Sequence, residues 1–398
     1  MDKIQLVKYI IAFLITMLSL IGLNANMYSW RTKKFYINYF LVAWCITIII
    51  LFTLIYIRRL YNEVVSEELD LKNAVTLYYY MNIFGAATNF LSQLWNTKAA
   101  AHFFNTVKLF ETLKYFDVDV EVIHSSLLLV TLKIIIFPII IEITLILRQL
   151  RNDYEERSLL WTIYTLYPLV IANIIPNCLF GIFVVCRQLT MSLNRHLKEL
   201  EKEANFLQNM DQILLHKPFY RMQKFCNLAD KLDELAEKYS LICAQTLLYM
   251  SMCSTPLLAS LLCNLFGITA GFFRQYYALA DTLINEESYD VFNAITNGVF
   301  LIISFLEIAL HSLVADQSIE AVKETGLILK RIRLDHADVR FRQSVEKFSF
   351  EILVIDFKIQ PMRLLNIDLG LLHDVLSAVT SFLLILIQSD LTLRFSLK

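Results

Sequence analysis

The stretch Ser381-Phe382-Leu383-Leu384-Ile385-Leu386-Ile387-Gln388 lies inside the last hydrophobic run of the chain, Leu369 to Leu391. Between a hydroxyl at one end and an amide at the other, every side chain is apolar, and no charged residue occurs between Asp374 and Asp390. An amide near the end of an apolar span is costly in lipid, so it usually faces protein or water. The run therefore predicts a membrane-spanning helix, and we interpret it as the functional element of the chain.

The composition of the whole chain is typical of a polytopic membrane protein. Of its 398 residues 57% are hydrophobic and 18% are charged, whereas soluble domains carry about 25% charged residues. The mean hydropathy is +0.53. The formal net charge of −1 argues against a nucleic-acid partner. The seven cysteines have neither CxxC nor Cys/His spacing, so we expect them to be small buried hydrophobes and predict no metal site and no cofactor.

Seven runs have the length of a membrane span, which needs about 20 mostly apolar residues. They are Tyr36–Ile57, Leu77–Asn96, Ser125–Leu147, Leu159–Cys186, Ser240–Phe273, Val291–Ala315 and Leu369–Ser389. An eighth run, Ile4–Leu23, contains Lys8 and precedes a basic segment. It either spans the membrane or lies along the cytoplasmic interface. The expected fold class is all-α with seven transmembrane helices.

The placement of basic residues favours a cytoplasmic N-terminus and an extracellular C-terminus. Lys and Arg have the same density in the connections of the two sides, so the bias is local. Arg187, Arg195 and Lys198 follow the end of the fourth span and residues 331–347 are basic, while Arg274 stands alone in its outer loop. Basic residues next to span ends favour the cytoplasmic side.

Two long inner connections, residues 187–239 and 316–366, are expected to be helical. Residues 197–203 continue the fourth span with strong helix formers. An amphipathic stripe leads into the fifth span. We favour its interpretation as a packing face within the subunit over a contact between subunits. The stripe consists of Leu228, Leu232, Leu235 and Tyr239.

Motifs of enzymes are absent from the sequence. It has no GxSxG, HExxH or P-loop pattern, and its histidines are dispersed. We therefore predict that the protein is not an enzyme and assign no catalytic residue.

Ionisable residues inside predicted spans are candidates for function. Lys133 and Glu142 lie nine positions apart in the third span, on opposite sides of a helix, so we do not expect them to pair with each other. For Lys133 and for Glu307 of the sixth span we favour a structural ion pair or an aqueous crevice. Glu142, in the outer half of its span, is a candidate ligand contact. Prolines inside spans are expected to kink their helices, and they are Pro138, Pro168, Pro176 and Pro256.

Aromatic side chains cluster in the outer half of the fourth span. Trp161, Tyr164 and Tyr167 recur every three residues on one helical face. The pattern fits an interfacial belt and the wall of a small-molecule pocket equally well. Asn293 and Asn297 begin the sixth span at the same level and are candidate polar ligand contacts.

The last span resembles the signature of the insect gustatory receptor family, which is Thr-Tyr, five hydrophobic residues and Gln-Phe. Here it reads Ser381-Phe382, five aliphatic residues and Gln388-Ser389, so the spacing and the Gln match while Ser, Phe and Ser replace the other three. Residues 367–372, 189–197 and 232–236 are also similar to the family. The similarity extends over the chain in length and span order.

This resemblance implies the fold of the insect odorant receptors, with the N-terminus inside and four subunits around one central pore. It implies a ligand-gated, non-selective cation channel in the plasma membrane of gustatory or other sensory neurons. Its partners would be a small-molecule tastant, membrane lipid and other gustatory receptor subunits in a homo- or heterotetramer. The expected division is a cytoplasmic N-terminal region with an interfacial helix (1–35), a ligand-sensing region (36–366), and a pore-lining helix with an outer tail (367–398).

The implied pore assigns roles to residues of the last span. Four Gln388 amides would replace part of the hydration of an ion, and Ile385, one turn below, would gate by excluding water. Ser381 and Leu384 are further candidates for the pore and gate. Asp390 would add a ring of negative charge that favours cations.

Motifs that the chain lacks favour one kind of tastant and argue against two alternative classes of protein. Sugar-responsive members of the family carry an acidic residue where this chain has Leu383, which favours a bitter or other aversive tastant. A G-protein-coupled-type chemoreceptor would have the opposite orientation, and neither Asp-Arg-Tyr nor Asn-Pro-x-x-Tyr occurs. A transporter would show internal repeats or glycine-broken helices. An odorant receptor subunit remains the second alternative.

Overall fold

The computed structural model describes residues 3–65, 74–116, 118, 120–152, 159–209, 218–285 and 289–396. This part of the chain consists of helices and one short β-hairpin. The helices are α1 Lys3–Leu20, α2 Tyr39–Val65, α3 Ala74–Trp95, α4 Thr97–Thr106, α5 Thr112–Tyr115, α6 Val120–Thr131, α7 Phe137–Asn152, α8 Leu159–Leu207, α9 Pro218–Asn285, α10 Val291–Lys330, α11 Val339–Val354 and α12 Gly370–Ser396. The π-helical turn Leu132–Ile136 joins α6 to α7, the 3₁₀ turn Pro361–Arg363 precedes α12, and the hairpin strands are β1 Asn26–Ser29 and β2 Lys34–Ile37.

Six membrane-spanning candidates are present among the described residues, which confirms the all-helical fold class. They lie in α2, in α6 with α7, and in α8, α9, α10 and α12. The remaining expected span, Leu77–Asn96, corresponds to α3. This helix has 22 residues, packs against α8 and α9, and buries the amides of Asn82 and Asn89. These polar side chains make α3 less apolar than the other six candidates. They are buried inside the protein and do not face lipid.

Helices α8 and α9 are much longer than a membrane is thick, and they form the centre of the fold. They have 49 and 68 residues, and they pack against each other over part of that length. The predicted inner extensions of the fourth and fifth spans are therefore confirmed as continuous helix. The stripe of Leu228, Leu232, Leu235 and Tyr239 is buried, at 9% exposure or less. It is a packing face within the subunit, as predicted.

The β-hairpin between α1 and α2 was not predicted by the sequence. Helix α1 covers most of the run Ile4–Leu23 and gives way to an extended segment after Gly22, whose φ of 82° favours glycine. The turn of the hairpin contains Lys33 at a φ of 53°. Hairpin turns with positive φ usually carry Gly or Asn. Because this turn has neither, its sequence gave no signal.

Each proline inside α8 and α9 leaves one main-chain carbonyl without its helical donor, four residues earlier. In all three cases a side chain from a neighbouring helix donates a hydrogen bond to that carbonyl. The carbonyls and donors are Tyr164 O with Tyr56 Oη at 2.7 Å, Ala172 O with Asn89 Nδ2 at 2.9 Å, and Met252 O with Ser92 Oγ at 2.9 Å and Asn96 Nδ2 at 3.1 Å. The prolines Pro168, Pro176 and Pro256 therefore fix where α2 and α3 dock.

Candidate functional site

Helix α12 is the least buried of the six spanning candidates in the described residues. Only 11% of its apolar segment is buried inside the subunit, against 61% for α8. It packs on α9 and α10 along one side. The predicted pore residues Ser381, Leu384, Ile385 and Gln388 are all exposed on the other side. The structure therefore brings these four together on one free surface of the subunit.

Polar side chains recur along this exposed surface of α12. Ser377, Ser381, Gln388 and Thr392 follow one another at helical spacing, with Leu384 between the second and third. The Ser381 and Thr392 hydroxyls donate to the carbonyls of Ser377 and Gln388, four residues earlier. The Gln388 amide is larger and projects from the surface. A stripe of this kind is stable against water or protein and unfavourable against lipid.

Asp390 lies near the end of α12 in an ionic cluster of two carboxylates and one arginine. Its carboxylate accepts hydrogen bonds from Arg394 Nε at 2.7 Å and from Tyr276 Oη at 3.0 Å. Arg394 also binds Asp281 of α9 at 2.7 Å, and its guanidinium lies over the ring of Tyr277. The sequence-based prediction of an acidic ring did not include this arginine. The cluster joins the last turns of α12 to α9, and its two carboxylates and one guanidinium carry a formal net charge of −1.

Two of the predicted ligand contacts, Tyr164 and Tyr167 of α8, lie in an aromatic cluster with α2. The Tyr164 ring stacks on Tyr56 with centroids 5.1 Å apart, and Tyr167 approaches Phe52. The guanidinium of Arg59 lies over Tyr164 at 5.2 Å. Trp161 belongs to α8, but its side chain lies outside the described part of the structure. The N-terminal part of α8 therefore presents a half-buried aromatic surface with one cation beside it.

The other predicted ligand contacts lie in different places. Asn297 is buried and donates to the carbonyl of Gly271, which joins α10 to α9. Asn293 donates to Asp290, the residue that caps α10. Glu142 is half-buried on α7. Both amides therefore have structural partners near the start of α10 and in α9.

A buried ion pair joins the third and sixth spans, as favoured from the sequence. Lys133 Nζ lies 3.0 Å from Glu307 Oε1 and 3.0 Å from Asn177 Oδ1, and both ionic side chains are at most 4% exposed. Lys133 belongs to the π-helical turn, in which the amide of Phe137 bonds to the carbonyl of Leu132. Pro138 lies two residues after the end of this turn, so the wider turn accommodates its missing donor.

Further polar side chains surround this ion pair, and sequence reasoning missed them. A cavity of ≈ 10 Å³ is lined by Lys133, Glu307, Asn173, Asn177, His311 and Ser260 among others, which is about the room of one water molecule. His311 Nε2 lies 3.0 Å from the Pro176 carbonyl. The signal was available, because 173 and 177 in the fourth span and 307 and 311 in the sixth are polar at a spacing of four.

Comparisons with known proteins agree with this architecture. The profile of the 7tm chemosensory receptor family matches residues 11–393. Gustatory receptor 94a of Drosophila melanogaster is 40% identical over 99% of this chain and 98% of that protein, and gustatory receptor 97a is 39% identical over 95% and 89%. The fold is similar to that of the olfactory receptor OR5 from Machilis hrabei, solved in complex with eugenol and without it. The TM-scores are 0.61 and 0.60 at 14% identity, with 98% of this chain and 100% of that one covered.

These matches, together with the apolar helices, assign the chain to the multi-pass chemosensory receptors of the membrane. Within that class, the chain belongs to the insect gustatory receptor family, as its last span predicted. The family is one of receptors and not of enzymes.

Proposed function

We propose that this gustatory receptor is one subunit of a tetrameric, ligand-gated, non-selective cation channel. Four copies of α12 line a central pore, with Ser381, Leu384, Ile385 and Gln388 toward the axis. The observation that carries this proposal is the exposed polar stripe of α12. A span surface bearing Ser, Gln and Thr needs water or protein beside it, and a shared pore supplies both.

Exposed apolar side chains outside the spans support assembly into an oligomer. Phe350 and Leu353 of α11 and Leu364, before α12, are 66%, 82% and 72% exposed. They lie in the connection that leads into α12, which the proposed topology places in the cytoplasm and away from lipid. In the proposed tetramer, neighbouring subunits bury this surface and hold the four pore helices together.

The proposed topology has seven crossings, with α3 as the seventh, a cytoplasmic N-terminus and an extracellular C-terminus. Residues 1–35 then form a cytoplasmic region, 36–366 the ligand-sensing region, and 367–398 the pore helix with its outer tail. Helices α8 to α11 extend into the cytoplasm. The receptor belongs to the plasma membrane of gustatory or other sensory neurons, in homo- or heterotetramers.

The proposed tastant is a small molecule, bitter or otherwise aversive rather than a sugar. The aromatic surface of Tyr164 and Tyr167 offers stacking contacts, and Trp161 continues the same helix toward its outer end. Glu142, Asn293 and Asn297 are the proposed polar contacts at that level. Ligand binding that favours the open arrangement shifts the population toward conduction.

Whole-cell recording from cells that express the chain tests the proposal. A panel of bitter compounds and sugars is applied to the wild type, to Gln388→Ala, and to Thr47→Ala as a control on the exposed side of α2. We expect a bitter-evoked cation current whose ion selectivity changes in Gln388→Ala and not in Thr47→Ala. A current that is identical in all three proteins would show that Gln388 of α12 does not line the pore.

The alternative classes, a G-protein-coupled-type chemoreceptor and an odorant receptor subunit, are separated by two further measurements. Epitope tags at both termini of intact cells report the orientation, and an N-terminal tag that is stained from outside would contradict the channel topology. An odorant-evoked current without any response to tastants would favour the odorant receptor subunit.

A further inference from the structure

The β-hairpin between α1 and α2 is fixed firmly to the protein on one face. Tyr28 and Phe35 pack against Phe110, with ring centroids 4.5 Å and 5.9 Å from it. Asn105 of α4 accepts a hydrogen bond from the amide of Phe35 and donates one to its carbonyl, as a neighbouring strand would. Asn26 donates to the carbonyl of Thr97. The hairpin is therefore a rigid platform.

The tip of this platform, the outer face of β2 and the start of α2 are exposed and carry large aromatic side chains. Trp30, Tyr39 and Phe40 are 73%, 85% and 76% exposed, and Tyr36 is 45% exposed. Aromatic residues with this degree of exposure are rare on a surface that faces water alone. Trp and Tyr are enriched where a membrane meets water, because their rings have both an apolar body and a polar edge.

Basic residues lie among these aromatic side chains. Arg31, Lys33 and Lys34 are exposed in the turn and at the start of β2. Lys33 lies 3.5 Å from Glu111, and both of these side chains are about half exposed or more. The three cations together with this one carboxylate leave a net charge of about +2 on the patch.

The patch lies beside the membrane because of its position in the chain. A single residue, Asn38, separates β2 from α2. Its main-chain N–H donates a hydrogen bond to the carbonyl of Ala25. Helix α2 has no charged side chain from Tyr39 to Ile57, so its apolar surface begins within its first turn. At a rise of about 1.5 Å per residue, the hairpin lies within about 10 Å of the hydrocarbon boundary.

We propose that this patch, formed by Trp30, Tyr36, Tyr39 and Phe40 with Arg31, Lys33 and Lys34, binds the anionic phospholipid surface of the adjacent leaflet. The aromatic rings enter the headgroup layer and the three cations contact lipid phosphates and carboxylates. Each basic residue near an anionic surface strengthens attachment by about fivefold. A net charge of two gives a preference for anionic over zwitterionic lipid on the order of twentyfold. This inference is independent of channel activity.

The test uses the full-length receptor, reconstituted into vesicles that contain brominated phosphatidylserine or brominated phosphatidylcholine at equal mole fractions. Bromine quenches tryptophan fluorescence on contact, and the difference between the wild type and Trp30→Phe isolates the emission of Trp30. We expect stronger quenching of Trp30 by the serine lipid, and a loss of that excess at high salt, which screens the attraction.

Two charge-matched variants assign the effect. In the triple variant Arg31→Gln, Lys33→Gln and Lys34→Gln, both brominated lipids should quench the fluorescence of Trp30 equally. The control variant Lys202→Gln, Lys323→Gln and Lys347→Gln removes three exposed cations from α8, α10 and α11, and it should keep the excess. Equal quenching in the wild type, or loss of the excess in the control, would overturn the proposal. A Trp30 that neither lipid quenches would also overturn it, and would indicate that a second copy of the chain covers the patch.

Discussion

Helices α2 and α12 are both exposed spans, and their exposed surfaces differ in kind. Only 17% of the apolar segment of α2 and 11% of that of α12 are buried inside the subunit. The exposed surface of α2 is aromatic at its start and aliphatic beyond Trp44, with Thr47 and Thr53 as its exposed hydroxyl side chains between Phe40 and Ile57. The hydroxyls of both threonines bond to the preceding turn of their own helix. The exposed surface of α12 carries the Gln388 amide in addition to several hydroxyls.

Exposure alone does not identify a lipid-facing helix. Lipid satisfies an aliphatic surface and cannot satisfy a free amide. Two spans of similar length and exposure therefore suit different environments: lipid suits the surface of α2, whereas the surface of α12 suits the water and neighbouring subunits of the proposed tetramer.

The largest expected effect comes from placing a charge in the middle of each exposed surface. Ile50 of α2 and Leu384 of α12 are matched in exposure, at 52% and 55%. A lysine at the centre of a lipid-facing span costs about 3 kcal/mol. Ile50→Lys should therefore lower the number of receptors at the cell surface, as surface biotinylation measures. Leu384→Lys should reach the surface and abolish cation current, because four ammonium groups would face the pore. Equal losses at the surface would show that both helices face lipid.

The second prediction concerns the cluster that fixes the end of α12. Arg394→Ala leaves the carboxylates of Asp390 and Asp281 near each other without their cation. We expect the free energy of unfolding to fall by about 2 kcal/mol. This is less than for a fully buried pair, because these side chains keep 14–19% exposure. Thermal unfolding of the purified receptor measures it.

Two controls accompany the arginine variant. Arg58→Ala removes an exposed cation at the corresponding end of α2 and should leave the unfolding temperature unchanged. Adding Asp390→Asn to Arg394→Ala should recover part of the loss, because one unpaired charge is removed. An unchanged stability of Arg394→Ala itself would mean that the cluster does not hold α12 to α9.

The third prediction tests the inward side of α2. Tyr56→Phe removes the donor to the Tyr164 carbonyl that Pro168 leaves free. The expected loss of stability is about 1 kcal/mol, the usual cost of one buried hydrogen bond. Tyr61→Phe, at 66% exposure on the same helix, is the matched control and should be neutral. If the two variants have the same stability, the hydrogen bond from Tyr56 does not compensate for the main-chain donor that is missing at Pro168.

The smallest expected effects come from hydroxyl removal on the two exposed surfaces. Thr53→Val and Ser381→Ala each remove a hydroxyl that bonds only to its own helix. Both should change stability by less than about 0.5 kcal/mol. Single-channel recording should nevertheless show a changed conductance for Ser381→Ala alone. A conductance change in Thr53→Val would place α2, too, beside the conduction path.

Much of the fold could be predicted from the sequence because it depends on local patterns. Apolar runs of sufficient length gave the spans, and the strong helix formers at 197–203 gave the extension of α8. The stripe at Leu228, Leu232 and Leu235 has the period of a helix and is buried as predicted. Burying an unpaired charge is costly, so a partner for Lys133 and for Glu307 was also foreseeable.

The features that the sequence did not reveal depend on contacts between distant segments. The donors to proline-freed carbonyls come from α2 and from α3 with the residue after it, and Asn89, for example, lies 83 positions before Ala172, whose carbonyl accepts its hydrogen bond. Asp390 and Arg394 lie four residues apart, a spacing that permits pairing on one helix. Their contact with Asp281 depends on how α12 docks on α9. The polar pairs at 173/177 and 307/311 had a readable period, but only the fold brings them around one cavity.

Thiol accessibility at matched positions of α12 and α2 tests directly whether α12 lines a water-filled pore. Gln388→Cys and Ile50→Cys are expressed in intact cells and treated from outside with a membrane-impermeant maleimide, with the wild type as the baseline for native cysteines. Maleimides react with thiols in water, and Gln388 lies outward of the proposed gate at Ile385. We predict labelling of Gln388→Cys above the baseline and none of Ile50→Cys. Labelling of Ile50→Cys with an unreactive Gln388→Cys would contradict the assignment of α12 to the pore.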